Sequence, residues 1–121
     1  MAGRERVVVC PSAALVDGGD GVRFELPRAG GPEQAFAVRY EGRVYAYVNR
    51  CAHVGVELDW QPGRFFDADG LVLICSTHGA LYDPRTGNCL GGPCRGGRLV
   101  PIAVAEVGGE VVLTEIGSND G

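Results

Sequence analysis

A chain of 121 residues has room for one domain with one continuous core. At 45% hydrophobic and 21% charged residues it has an ordinary globular composition, and its longest apolar run is far too short to span a bilayer. A formal net charge of −4 argues against free nucleic acid as a partner, and Met1-Ala-Gly-Arg-Glu-Arg6 is not followed by the apolar stretch of a signal peptide, so a monomeric cytoplasmic protein is expected.

In chain order the sequence reads as β throughout. Val7-Val8-Val9 predicts a short strand and Asp17-Gly-Gly-Asp-Gly21 a loop. Val22 to Leu26 alternates and predicts a second strand. Ala35 to Tyr40 and Arg43 to Asn49 predict a hairpin turning at Glu41-Gly42. Its alternation puts Phe36 with Val38, and Val44 with Ala46 and Val48, on common faces. Trp60, Phe65 and Phe66 are candidate core residues. Leu71 to Cys75 predicts a buried strand. Val100 to Val107 and Glu110 to Glu115 predict a last hairpin around Gly108-Gly109, and residues 117–121 a frayed tail. No segment sustains a helical period.

Cys51-Ala-His53 and Cys75-Ser-Thr-His78 are the candidate metal ligands, and His53 and His78 are the only histidines. Two thiolates and two imidazoles in so small a chain make one site. A Cys2His2 set can hold a structural Zn²⁺, but zinc fingers usually pair Cys with Cys and His with His. Two His replacing two Cys on one iron of a [2Fe–2S] cluster is the other solution for this donor set. Gly55 and Gly79 follow the two pairs and let backbone N–H groups approach an anionic group.

The two pairs resemble the Rieske [2Fe–2S] family, whose ligands run Cys-x-His then Cys-x-x-His. The resemblance continues through His78-Gly-Ala-Leu-Tyr-Asp83, the Thr86-Gly87 turn, the proline-containing loop Gly91-Gly92-Pro93, and Leu99-Val-Pro-Ile102. It extends from about Arg43 to Glu115 and is loose before that. It implies one cluster, with Cys51 and Cys75 on one iron and His53 and His78 on the other. Gly55, Gly79, Ala80, Tyr82 and Pro93 would surround these ligands. It also implies an all-β Rieske fold of antiparallel sheets forming a sandwich, as one domain over 1–121. Residues 5–48 and 95–116 would form the base and 49–94 an inserted cluster-binding subdomain.

The function implied is one-electron transport by a Rieske-type ferredoxin, without catalytic residues of its own. An oxygenase iron site needs two further histidines and a carboxylate, and there is no G-x-G-x-x-G dinucleotide fingerprint. The expected partners are an electron-donating reductase and an electron-accepting oxygenase of the ring-hydroxylating type. An accessory subunit of a redox enzyme, a redox sensor using Cys89 and Cys94, and a structural zinc module are the alternatives. All eleven basic residues are Arg, and Arg50, Arg64, Arg85, Arg95 and Arg98 could form a docking face for an acidic partner. The disulfide that often joins the two ligand loops of high-potential relatives would fall at Val56 and Thr77, so it is missing. With Ala80 in place of a serine hydroxyl and Tyr82 kept, the resemblance implies a potential near the bottom of the Rieske span of about −150 to +300 mV. Cys89 and Cys94 could bridge sterically, but a reducing cytosol favours two thiols. Cys10 has no assigned role.

Overall fold

A computed structural model describes residues 7–27, 30–51, 57–59, 61, 63–75, 79–94 and 96–114. Within them lie ten short strands: β1 (Val8–Pro11), β2 (Val22–Leu26), β3 (Glu33–Tyr40), β4 (Arg43–Val48), β5 (Leu73–Ile74), β6 (Leu81–Tyr82), β7 (Cys89–Gly91), β8 (Pro101–Ile102), β9 (Val104–Val107) and β10 (Glu110–Leu113). Single 3-10 turns follow β1 and β7, at Ser12–Ala14 and Gly92–Cys94. The strands form three antiparallel sheets in the orders β1-β10-β9, β2-β3-β4-β8 and β5-β6-β7.

The second sheet is the middle layer, and its alternation explains the architecture. Ala35 pairs with Val48 and Ala37 with Ala46, while Phe36 pairs with Tyr47 and Val38 with Tyr45. The first set faces the β1-β10-β9 sheet and packs with Cys10, Leu15, Leu26, Ile102, Val111 and Leu113. The second set faces the β5-β6-β7 side and packs with Leu58, Phe65, Leu73, Tyr82 and Leu99. Phe36 stacks on Phe65 at 4.0 Å between ring centroids. A sheet covered on both faces needs apolar residues at successive positions, and β3 is buried from Ala35 through Val38. The small side chains on one face let the outer sheet approach closely.

The hairpin of β3 and β4 turns at Glu41-Gly42 as the sequence predicts. Both residues have positive φ, 50° and 82°, the requirement of the tight turn that suits strand twist. Asp17 supports this geometry, because its carboxylate accepts from Glu41 N at 2.6 Å and Gly42 N at 2.8 Å.

Four predicted elements differ. The first strand starts and ends later than Val7–Val9. The strand expected from Leu71 begins at Leu73. Asp67 Oδ1 accepts from Leu71 N at 2.9 Å and from Val72 N at 3.3 Å, closing a turn that keeps Leu71 exposed. The strand expected over Val100–Val107 is two strands in different sheets, broken at Ala103: β8 pairs with β4, and β9 with β10. Cys89–Gly91, expected as loop, pairs with β6. Residues 117–121 and Trp60 lie outside the described residues. Phe65 is fully buried and Phe66 packs against the same core.

Candidate metal centre

Cys51 and Cys75 leave different sheets and enter the same core. Cys51 follows β4, and Cys75 follows β5. Both are buried, together with Leu58, Phe65, Leu73, Ala80 and Tyr82. His53, Gly55 and His78 lie outside the described residues, as do Val56 and Thr77. The structure therefore brings together the two cysteines, Gly79, Ala80, Tyr82 and Pro93 of the predicted set.

The first cysteine is held by a buried polar clamp. Asn49 Nδ2 donates to Asp59 Oδ1 at 3.0 Å, and Leu58 N donates to Asn49 Oδ1 at 2.9 Å. Asp59 Oδ2 accepts from Gly63 N at 2.9 Å, and Arg23 Nε lies 3.5 Å from the same oxygen. Asn49 and Asp59 are both buried, and burial makes hydrogen-bonded partners mandatory. The clamp ties the chain before Cys51 to the segment of Leu58, Asp59 and Gly63. Sequence reading missed it.

The second cysteine stands at a hairpin tip. Leu73 pairs with Tyr82 and Ile74 with Leu81. Cys75 N donates to Ala80 O at 2.9 Å, and Gly79 N donates to Cys75 O at 2.7 Å, so Cys75 is tied by its backbone to Gly79 and Ala80. Gly79 has φ +74°, a conformation glycine takes without cost. Across this core the Tyr82 hydroxyl lies 3.3 Å from Cys51 Sγ. Were Cys51 to bind a metal as thiolate, its sulfur could only accept, and the tyrosine would be the donor.

A third segment closes over the second hairpin. Gly92, with φ +82°, lies so close to it that a Cβ would come 2.8 Å from Gly79 O and 3.0 Å from Ala80 Cα. Pro93 follows it, exposed. Cys89 and Cys94 are joined by a disulfide, which corrects the expectation of two thiols. The ladder between β6 and β7 and the Gly92–Cys94 turn bring the two Cα atoms to 5.7 Å, within ordinary bridging distance.

Beneath the site, Tyr47 is fully buried and donates to Pro84 O at 2.8 Å. Burial, with Asp83 nearby, pushes its phenol far above the usual range, so it remains a neutral donor. The arginines expected to form a docking face are partly neutralised. Arg50 meets Glu33 at 3.2 Å, Arg64 meets Asp20 at 3.4 Å, and Arg85 meets Glu41 at 3.5 Å and Asp83 at 3.7 Å. Exposed pairs of this kind mute a one-sign surface. Arg95 lies outside the described residues.

The family model for the Rieske [2Fe-2S] domain matches residues 5–107. Three solved structures are similar over nearly the whole chain. The ferredoxin of carbazole 1,9a-dioxygenase from Nocardioides aromaticivorans is 26% identical, with TM-score 0.68, covering 91% of this chain and 97% of that one. A ferredoxin of Sphingomonas yanoikuyae B1 is 22% identical, with TM-score 0.72, covering 92% and 99%. A chain of the complex of reduced oxygenase and oxidized ferredoxin in carbazole 1,9a-dioxygenase is 24% identical, with TM-score 0.70, covering 97% and 100%. No curated protein sequence matches significantly.

Proposed function

The chain belongs to the Rieske [2Fe-2S] domain family, and from that premise we propose that it is a one-electron carrier, the ferredoxin component of an oxygenase system. One observation carries this reading. Cys51 and Cys75 come from separate sheets into one buried core, with the Tyr82 hydroxyl directed at the Cys51 sulfur. Each cysteine precedes a histidine within two or three positions in the sequence. This donor set fits a cluster with mixed thiolate and imidazole ligation. Cys51 and Cys75 would bind one iron, and His53 and His78 the other. When bound, the cluster supplies a one-electron couple.

The chain's own residues do the rest. Tyr82 donates to the Cys51 sulfur. Leu58, Phe65 and Leu73 keep water from the cysteine side, and Asn49 with Asp59 fixes the first ligand loop. Gly92 and Pro93 cover the second hairpin. The chain spans 97% of a ferredoxin of an oxygenase system, which supports a carrier between a reductase and an oxygenase. With only two histidines, both assigned to the cluster, no residues remain for a mononuclear iron site of an oxygenase. We assign cluster binding to residues 49–94. We place the carrier in the cytoplasm beside such partners; among the described residues no helix is long and apolar enough to cross a membrane.

The test is EPR of anaerobically purified, dithionite-reduced protein, with iron, zinc and acid-labile sulfide counted on the same sample. A rhombic signal of low average g with two irons and two sulfides per chain is the expected result. A silent sample with one zinc per chain would overturn the reading.

A further inference from the structure

Cys89 and Cys94 stand outside the donor set, yet their disulfide lies against it. The bond spans a sequence separation of 5 and encloses Leu90-Gly91-Gly92-Pro93. Cys94 is buried in the core that holds Cys51 and Cys75, and Cys89 packs against that core partly buried. Inside the loop, Gly92 touches the backbone of Gly79 and Ala80, the residues directly after His78. The ladder pairs Leu81 with Gly91 and Tyr82 with Cys89, so the same loop flanks the strand that carries the Tyr82 hydroxyl. Its outer end is tied by Cys89 N donating to Gly97 O at 3.1 Å and Gly97 N to Cys94 O at 2.7 Å. The disulfide closes the covering loop on itself, beside the core that holds Cys51 and Cys75.

We propose that the Cys89–Cys94 disulfide is a dithiol-sensitive brace, which holds the Gly91–Pro93 loop against the second ligand hairpin and whose reduction makes the cluster labile. This rests on the Rieske reading of the site. The reductant is a dithiol. One of its sulfurs attacks Cys89 Sγ, the less buried of the two, and displaces Cys94 as thiolate. Its second sulfur then resolves the mixed disulfide and releases Cys89. In sum the Sγ–Sγ bond breaks, Cys89 and Cys94 gain two electrons and two protons, and the reductant leaves as its own disulfide. Without the bond, the short β6–β7 ladder, the Gly97 hydrogen bonds and the burial of Cys94 are left to keep Gly92 on Gly79 and Ala80. Outer supports of this kind hold metal ligands in place.

The experiment follows loss of the cluster's visible absorbance without air, with and without dithiothreitol, in the wild-type chain and in the Cys89→Ser/Cys94→Ser double variant. Alkylation and mass measurement report the thiols in parallel. In wild type, dithiothreitol should open Cys89 and Cys94 to alkylation and speed cluster loss on the order of tenfold, the lower end of what losing an outer support costs a metal site. The double variant should lose its cluster at the fast rate with or without dithiothreitol. A non-thiol reductant, tris(2-carboxyethyl)phosphine, should act on wild type as dithiothreitol does, and this arm decides the matter if the double variant does not load. The proposal is overturned if Cys89 and Cys94 alkylate before reduction, if opening them leaves cluster loss unchanged, or if dithiothreitol accelerates the double variant equally. A wild-type chain that takes up no cluster at all refutes the carrier reading and this proposal with it. A loaded chain indifferent to reductant refutes the brace alone.

Discussion

At the scale of single residues, the hydroxyl of Tyr82 sets the sharpest expectation. It lies 3.3 Å from Cys51 Sγ, and donation to sulfur favours the reduced, more negative cluster. Tyr82→Phe removes the donor and keeps the buried ring. A hydrogen bond worth about 1 kcal/mol more in the reduced state corresponds to about 40 mV for one electron. The variant's midpoint, measured by spectroelectrochemical titration, should fall by that order. An unchanged midpoint would mean that the hydroxyl does not act on the cluster. Asp59 bears on the same loop by a different route. Asp59→Ala would strand the Asn49 amide and Gly63 N–H in a buried place. Two unsatisfied buried groups cost about 2–6 kcal/mol. Urea unfolding should show this loss, and cluster content on purification should drop with it. That Cys51 and Cys75 belong to one core was legible in the sequence, because each stands two or three positions before one of the two histidines. The clamp was not legible, because Asn and Asp beside a loop ordinarily read as solvated turn residues. Only burial, which depends on the tertiary fold, turns them into a required pair.

At the scale of elements, the β3–β4 hairpin was read from local signals and strands β5 to β7 were not. The hairpin turn places a non-glycine residue, Glu41, at φ 50°, which carries a steric cost. Asp17 offsets it by accepting from two backbone N–H groups of the turn. Asp17→Ala should therefore destabilise the protein by about 1–2 kcal/mol, in the range of a lost helix cap. Chemical denaturation of the cluster-loaded protein would measure it, and a change below about 0.5 kcal/mol, ordinary for a surface site, would remove Asp17 from this role. The hairpin was legible because Glu-Gly between two alternating runs is a local signal. Strands β5 to β7 were only partly legible. Each is two or three residues long, too short for a period to show, and β7 exists because β6 presents a partner. The disulfide was not expected because a reducing compartment was assumed, while the β6–β7 ladder and the Gly92–Cys94 turn bring the two Cα atoms within bridging distance. By chain entropy alone, closing so short a loop restricts the unfolded state by about 2 kcal/mol.

At the scale of the whole molecule, two cores share one sheet, and only one of them contains the candidate donors. Alternation in β3 and β4 revealed the faces, but not that both are covered, since one covering sheet joins the start of the chain (β1) to its later part (β9 and β10) and the other comes from the middle (β5 to β7). The outer sheet is joined to the middle one by Arg39. Its guanidinium donates to Leu15 O at 2.9 Å and Ser12 O at 3.1 Å, and to the two Glu106 oxygens at 3.2 and 2.7 Å. Hydrogen bonds from Arg39 hold the Glu106 carboxyl below its usual range. A carboxyl whose folded value lies below its unfolded value stabilises the protein fully above the unfolded value. That contribution fades as pH falls through the folded one. The Glu106 side chain is 35% exposed, so solvent screening limits the pair to about 1 kcal/mol or less. Glu106→Gln should thus lower Tm at neutral pH by roughly 2–5 °C. The difference from wild type should shrink on acidification below the ordinary carboxylate range. Because Glu106 lies on the sheet that packs against the other core, the variant's EPR signal and midpoint should match wild type. A Tm difference independent of pH would remove ionisation from the account, and an altered EPR signal would show that the two cores are mechanically coupled through the middle sheet.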